Sequence, residues 1–246
     1  MLRRALGRLA APRLDPDVDR LVVGALRAAA PGPCPLLLHA GRDAGLGRTD
    51  AVDRASTCFL AFSAFNLSDD LSDGDCNYLP PAQAQAVVLI LNSLFVTSLR
   101  DLHLPSDVEA QVHLDLLAAE EAQVLELSSA PWNAARLRIV TDGIAGRQWA
   151  AYLRVMWAGT PMEHLSTEVA VNIGRVGLLA GDINTADPRF ATLPPLDQRS
   201  VLEDAHNRVR ALESIGARVA QSVVVDCGPL IAEKLAEVSD PGADAR

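Results

Sequence analysis

The stretch Phe59-Leu60-Ala61-Phe62-Ser63-Ala64-Phe65-Asn66-Leu67-Ser68-Asp69-Asp70-Leu71-Ser72-Asp73-Gly74-Asp75 joins an apolar helical run to a dense group of carboxylates. Upstream and within it, Val52, Ala55, Phe59, Phe62 and Phe65 recur at helical spacing, which predicts a helix over Asp50–Ser72 with one apolar face. With about 3.6 residues per turn, Asp69 and Asp73 share a face and Asp70 lies about 100° away. Like charges at that spacing repel, and the macrodipole disfavours anions at a helix C-terminus. A divalent cation removes both penalties. Mg²⁺ prefers oxygen ligands and typically takes one or two carboxylates together with a substrate's phosphates. A solvated acidic turn is the other reading of the cluster. A calcium loop is excluded, because the twelve residues that start at Asp69 end at Pro80 and not at a glutamate.

Outward from this stretch the chain reads as helix. Ala and Leu dominate, β-branched runs are short and alternating patterns are scarce. Helices are expected over Asp15–Ala30, Leu36–Ala44, Asp50–Ser72, Pro81–Leu102, Ser106–Leu127, Trp132–Gly159, Met162–Thr185, Leu196–Val225 and Pro229–Val238. Ser106 with Glu109 has capping-box spacing, and Pro81 and Pro229 sit where a first helical turn tolerates proline. Helix Pro81–Leu102, with Val87-Val88-Leu89-Ile90-Leu91, is the expected central helix, apolar nearly all round. No repeat or low-complexity linker interrupts residues 1–246, so the expectation is a single all-α domain with frayed ends at about 1–14 and 239–246.

The 246 residues include 22 basic and 31 acidic side chains, a formal charge of −9. Such a chain is a poor general binder of nucleic acid, whose phosphates need a surplus of Lys and Arg. Lys234 is the only lysine, so chemistry that needs an amine has one candidate near the C-terminus. Cys34, Cys58, Cys76 and Cys227 show no CxxC pairing, which argues against a zinc knuckle or a disulfide framework. The basic N-terminal stretch is interrupted by Pro12 and is not read as a signal peptide. The longest apolar run, Ala86–Leu91, is too short to span a bilayer. A soluble protein of a reducing, cytoplasmic compartment is the expectation.

Other residues extend the candidate site. Asp182 follows the apolar stretch Ile173–Ala180, and Asn184, Thr185 and Asp187 stand beside it, so two long helices could present both acidic clusters to one cavity. A plain helix C-terminus before Pro188 explains the segment as well. Arg147, Arg154 and Arg175 lie within apolar helices. They either snorkel to solvent or clamp phosphate oxygens, which arginine's planar fork favours. Gly143 and Gly146 are costly in a helix interior and could mark a break that turns carbonyls toward the cavity. Gln123 could face the same space. Trp149, Tyr152 and Trp157 serve either as cavity wall or as ordinary core.

Taken together, the chain resembles the isoprenoid synthase family of trans-prenyltransferases and class I terpene cyclases. The resemblance spans roughly Asp15–Val238. It rests on Asp69-Asp70-Leu71-Ser72-Asp73, similar to the first DDxxD motif, and on Gly181-Asp182-Ile183-Asn184-Thr185, which looks like a degraded second one. It implies an all-α bundle around a central apolar cavity, in which Asp69, Asp70, Asp73 and Asp182 hold Mg²⁺ against an allylic prenyl diphosphate and Arg147 stabilises the departing diphosphate. Asn66, Phe62, Phe65, Gln123, Trp149, Arg154 and Arg175 would contact substrate. Family members are often homodimers, with which the apolar Pro81–Leu102 helix is compatible.

The departures are as informative. Chain-elongating synthases carry a GKRxRP segment, and here Pro31–Leu38 has no Lys or Arg. The basic pair after the first motif is missing too, since Gly74-Asp75-Cys76-Asn77-Tyr78 follows Asp73. A second diphosphate is therefore not expected to bind. The cyclase second motif would need ligands where Gly181, Thr185 and Arg189 stand. The chain is similar in these respects to the small prenyltransferases of moenomycin biosynthesis, which pass a prenyl chain to a non-isoprenoid small-molecule acceptor. Three readings follow: a Mg²⁺-dependent prenyltransferase using a non-isopentenyl acceptor, an atypical class I terpene cyclase, or a catalytically inactive scaffold subunit.

Overall fold

Capping side chains and turn residues set where the helices begin and end. In the computed structural model, which describes residues 14–128 and 130–239, α1 (Pro16–Ala29) starts where Asp15 accepts a hydrogen bond from the Asp17 N–H and Pro16 fills the first turn. Then come α2 (Cys34–Asp43), α3 (Arg48–Asp73), α4 (Pro81–Asp101) and α5 (Ser106–Glu126). α6 (Ala134–Thr141) runs through a π-helical turn, Asp142–Gly146, into α7 (Arg147–Trp157). A 3₁₀ turn at Glu163–Leu165 precedes α8 (Ser166–Thr185), and α9 (Pro188–Ala191), α10 (Pro195–Ile215) and α11 (Arg218–Ser239) complete the order. No strand occurs among the described residues. The ends expected to fray lie outside them, apart from Leu14 and Ser239.

Three expected helices differ from the observed ones. Trp132–Gly159 is divided by the π turn. Leu196–Val225 is cut at Gly216, whose φ of +71° is the left-handed C-cap conformation that glycine adopts without strain. Pro229 starts no helix: α11 runs through it.

The described residues fold as two compact helical units, one within 14–109 together with 155–160 and the other within 110–154 together with 161–239. In the first, α3 packs on α4, α2 and α1. α3, and not α4, is the all-round buried helix. It buries Ala55, Ser56, Thr57, Cys58, Phe59, Leu60, Ala61, Ser63, Ala64 and Leu67. Hydropathy hides this because several of these residues are alcohols, but their hydroxyls donate back to their own helix. Ser56 bonds Val52 O (2.6 Å), Thr57 bonds Asp53 O (3.1 Å) and Ser63 bonds Phe59 O (2.7 Å), so no polar group is left without a partner.

α4 instead buries a single stripe, Ala84, Val87, Leu91, Phe95 and Leu99, and leaves Leu89 69% exposed. Among the described residues, α4 alone is long and apolar enough by length and composition to cross a membrane (mean hydropathy 1.5), a test that a core helix also passes, and α1 with α2 passes only as a pair bent by 72°.

The last turn of α7 belongs to the first unit. Arg54 of α3 donates to the carbonyls of Val155, Met156 and Ala158, which lack helical partners there, and Trp157 Nε1 donates to Ala40 O at 2.9 Å.

In the second unit α8 is central, packed on the π turn, α10 and α11. Gly143 and Gly146 do not free carbonyls: those of Asp142, Gly143 and Ile144 all accept from the Arg147 N–H. Close approach requires Gly143 and Gly174, whereas a Cβ at Gly146 would meet nothing nearer than 3.5 Å. A Cβ at Gly143 would stand 2.2 Å from the Ala122 Cβ, and a Cβ at Gly174 would stand 2.4 Å from Gly146 N.

Candidate functional site

The residues singled out in the sequence divide between the two units. In the first, Phe62, Phe65, Asn66, Asp69, Asp70 and Asp73 all ride on α3. The helix closes at Gly74 (φ +77°), whose N–H bonds Asp70 O, and the N–H groups of Asp75 and Cys76 bond the same carbonyl at 2.8 and 3.0 Å. The carboxylates therefore occupy the last helical turn, at the negative end of the helix. Asp69 and Asp70 are half-buried and Asp73 is exposed.

Asp70 is fixed in place. Asn66 Nδ2 donates to its Oδ2 at 3.1 Å, and the Tyr78 hydroxyl donates to the same oxygen. Burial, and then the neighbouring carboxylate, push the Tyr78 hydroxyl up, so it stays a donor. Asn66, expected to contact substrate, thus orients a carboxylate. Phe65 is half-buried, and the Phe62 ring edge lies 3.0 Å from where a Gly32 Cβ would be, against the turn after α1.

The donor set suits a hard cation: carboxylate oxygens alone, one of them held in a defined orientation. No three His, Cys, Asp or Glu side chains among the described residues form a ready-made cage. Mg²⁺ is ordinarily held by one or two protein carboxylates, with substrate and water supplying the rest.

In the second unit, Arg147 and Arg154 come together on a carboxylate the sequence reading passed over. Asp115 on α5 is 1% exposed. Its Oδ1 accepts from Arg147 Nη1 (3.2 Å), and its Oδ2 accepts from Arg154 Nε (2.6 Å). Arg154 also reaches Thr167 Oγ1 at 2.7 Å. Arg147 remains 44% exposed, so most of its fork is available. Trp149 is half-buried and edge-to-face with Tyr152, and Gln123 is half-buried on α5.

Arg175, expected to contact substrate, is engaged by protein carboxylates. It is 7% exposed and its fork is spent on protein carboxylates, with Nε and Nη2 on Asp142 and Nη1 on Asp204. Asp204 also accepts from Arg208 Nε at 3.0 Å, and Arg208 reaches Asn172 Oδ1 at 2.8 Å. Burial raises the Asp204 carboxyl, but the hydrogen bonds from Arg175 and Arg208 and their charges outweigh it and hold it below its ordinary value.

A folded-state pKa below the unfolded one adds stability above the ordinary carboxylate range, about pH 4, and that stability is lost as pH falls through the folded value. Arg175→Ala should therefore cost about 2–3 kcal/mol in urea unfolding at pH 7. It should also flatten the loss of stability below about pH 4. Equal acid sensitivity in both proteins would remove Asp204 from the account.

Asp182, expected as a metal ligand, is 2% exposed and bonded through Oδ1 to Arg189 Nη2 at 2.8 Å. Its Oδ2 is buried with no hydrogen-bond partner. Burial pushes its carboxyl up to about 7 against the pull of Arg189, with Asp187 and Glu126 adding to the rise. Arg189 also pairs with Asp187 and Glu126. Glu126, on α5, is thus an internal partner.

Asp115 could have been found. It falls on the stripe Val108, Val112, Asp115, Ala119, Ala122, which is buried throughout, so a charge there demands partners. Tyr78 lies beyond the helix, where periodicity gives no signal. A surface groove of about 460 Å³ beside α10 and α11, lined by His206, Arg210, Glu213 and Pro229 among others, contains none of the candidate residues.

No protein-family model matches the sequence, and no curated protein matches it. Solved structures do. A geranyltranstransferase from Thermotoga maritima superposes with a TM-score of 0.72 at 11% identity, covering 94% of this chain and 96% of its own. A geranyltransferase from Legionella pneumophila gives 0.69 at 17%, covering 95% and 93%. The chain has the all-α isoprenoid synthase fold of these structures.

Proposed function

We propose that this chain is a Mg²⁺-dependent enzyme that ionises an allylic prenyl diphosphate and passes the prenyl group to an acceptor other than isopentenyl diphosphate. The carrying observation is Asp70. Within an isoprenoid synthase fold, it stands in the last turn of α3 with Asp69 and Asp73, oriented by Asn66 and Tyr78. The similar structures are a geranyltranstransferase and a geranyltransferase by name. The sequence lacks the basic residues that would hold a second diphosphate, which favours a different acceptor.

Asp69, Asp70 and Asp73 would hold Mg²⁺, which when bound neutralises charge on the departing diphosphate. Arg147, anchored through one N–H on Asp115, would present its remaining donors to diphosphate oxygens, with Arg154 beside it. Both act where negative charge develops. Phe62, Phe65 and Trp149 would supply apolar surface that keeps water from the allylic cation. The whole chain would work as one catalytic domain, and the exposed Leu89 face of α4 would suit a second copy.

Incubation with Mg²⁺ and geranyl, farnesyl or geranylgeranyl diphosphate tests the reading. Diphosphate release that requires a small-molecule acceptor supports it. A cyclic hydrocarbon or alcohol made without acceptor would replace it with a terpene cyclase. No turnover at any chain length, with no Mg²⁺-dependent binding of diphosphate, would leave only a scaffold.

A further inference from the structure

The second acidic cluster is organised around an arginine. α8 ends at Ala186, a non-glycine residue at φ +53°, and the Asp187 N–H bonds back to Asp182 O at 2.8 Å. Asp187 then accepts from the Arg189 N–H at 2.8 Å and caps the short α9. This reversal brings Arg189 over the last turn of α8, where its fork meets three carboxylates on three different nitrogens. Nη2 reaches Asp182 (2.8 Å), Nε reaches Asp187 (3.2 Å) and Nη1 reaches Glu126. The positions at which a cyclase would add metal ligands contribute none. Gly181 has no side chain, the Thr185 hydroxyl donates to Gly181 O at 3.0 Å, and the third position is Arg189 itself.

We infer that the Arg189 guanidinium is the resident cation of the Asp182–Asp187–Glu126 cluster. No divalent metal is held there, and the metal of the proposed reaction falls to Asp69, Asp70 and Asp73 alone. The last clause rests on the proposed function; the first does not.

The chemistry favours the arginine. Mg²⁺ needs near-octahedral oxygen ligation at about 2.1 Å and keeps several waters. Asp182 Oδ1 already faces the guanidinium, and Oδ2 is sealed from solvent. A dication there would also stand beside a fixed positive charge that no accessible pH removes. Arginine is suited to the place because its planar fork serves several carboxylates at once, which a lysine ammonium cannot do in the same geometry.

The test uses the intact protein, with Mn²⁺ as the probe and inorganic pyrophosphate as the anion. Bound Mn²⁺ is read by electron paramagnetic resonance and stability by thermal unfolding. Asp70→Asn should weaken Mn²⁺ uptake at least about tenfold, and Asp182→Asn, which is isosteric, should leave it within about twofold of wild type. Arg189→Gln should melt at a lower temperature and be restored by millimolar Mn²⁺, because the metal then takes the vacated place. Wild type and the Arg189→Gln/Asp182→Asn pair should show no such rescue.

The inference is overturned if Asp182→Asn weakens Mn²⁺ uptake as much as Asp70→Asn does, or if folded Arg189→Gln gains no Mn²⁺ response. Should Arg189→Gln fail to fold, the Asp182→Asn arm still decides. If wild type takes up no Mn²⁺ with pyrophosphate, the reading of Asp69–Asp73 fails, and the Arg189→Gln arm then decides on the resident cation by itself.

Discussion

Asp70→Asn should lower the turnover of an allylic diphosphate by roughly a hundred- to a thousandfold or more. It should move the melting temperature by no more than about 2–4 °C. Asparagine keeps the shape of the side chain and one oxygen for the Tyr78 hydroxyl and Asn66 to bond, so the end of α3 is not expected to unravel. What it removes is the negative charge on which cation binding depends. The loss should appear mainly in kcat and in the Mg²⁺ concentration needed for half-maximal rate, and excess Mg²⁺ should not restore it.

The same residue invites a graded comparison. Tyr78→Phe and Asn66→Ala leave the carboxylate in place and remove one orienting donor each, so both should act more weakly than Asp70→Asn and in the same direction. Diphosphate release followed across a Mg²⁺ titration reads all three. An Asp70→Asn protein with wild-type turnover would end the metal assignment at this motif, whatever else the fold suggests.

Gly174→Ala should destabilise the protein by at least about 3 kcal/mol, a large value for one added methyl group. The added Cβ would stand 2.4–2.6 Å from Gly146 N, Gly146 Cα and Ala145 C. All three are backbone atoms, so relief needs the π turn or α8 to move. At this chain length the melting temperature should fall by about 6–12 °C. Gly177, three residues on along α8, is the control: a Cβ there meets nothing within 4 Å. Gly177→Ala should raise stability by about 0.5–1 kcal/mol through helix propensity. Thermal unfolding of the two variants side by side separates close approach from propensity, and equal effects would refute the packing account.

Local features are the ones a sequence makes legible. That α3 ends in a turn carrying three aspartates follows from the apolar spacing before it and from Gly74 after it. Sequence says less where partners are distant. Arg175 looks like any arginine in an apolar helix, and only the fold brings Asp142 and Asp204 to it. At Asp182, nothing local says that Arg189 returns across a left-handed residue to meet it.

The central helix was misjudged for another reason. α4 is rich in aliphatic residues yet buries one stripe. α3 is rich in Ser, Thr, Ala and Cys and is buried on every side, because its hydroxyls are satisfied by its own carbonyls. Hydropathy measures transfer from water, whereas small size and internal hydrogen bonding decide which helix can be surrounded by others.

The arginines have a practical consequence. Arg175 holds two carboxylates and Arg189 three, each through three different nitrogens, geometries that need a planar fork, while Arg54 holds three carbonyls through Nη1. Lysine is left with one place, Lys234 on α11, where its ammonium pairs with Glu237 in an exposed turn. Amine-directed reagents would therefore find a single side chain. A fluorophore or surface tether attached at about pH 9 or above would have this one side-chain site, with a free α-amino group as its competitor. Arginine-selective dicarbonyls would instead meet exposed guanidiniums such as Arg20 and Arg199 well before the buried Arg175.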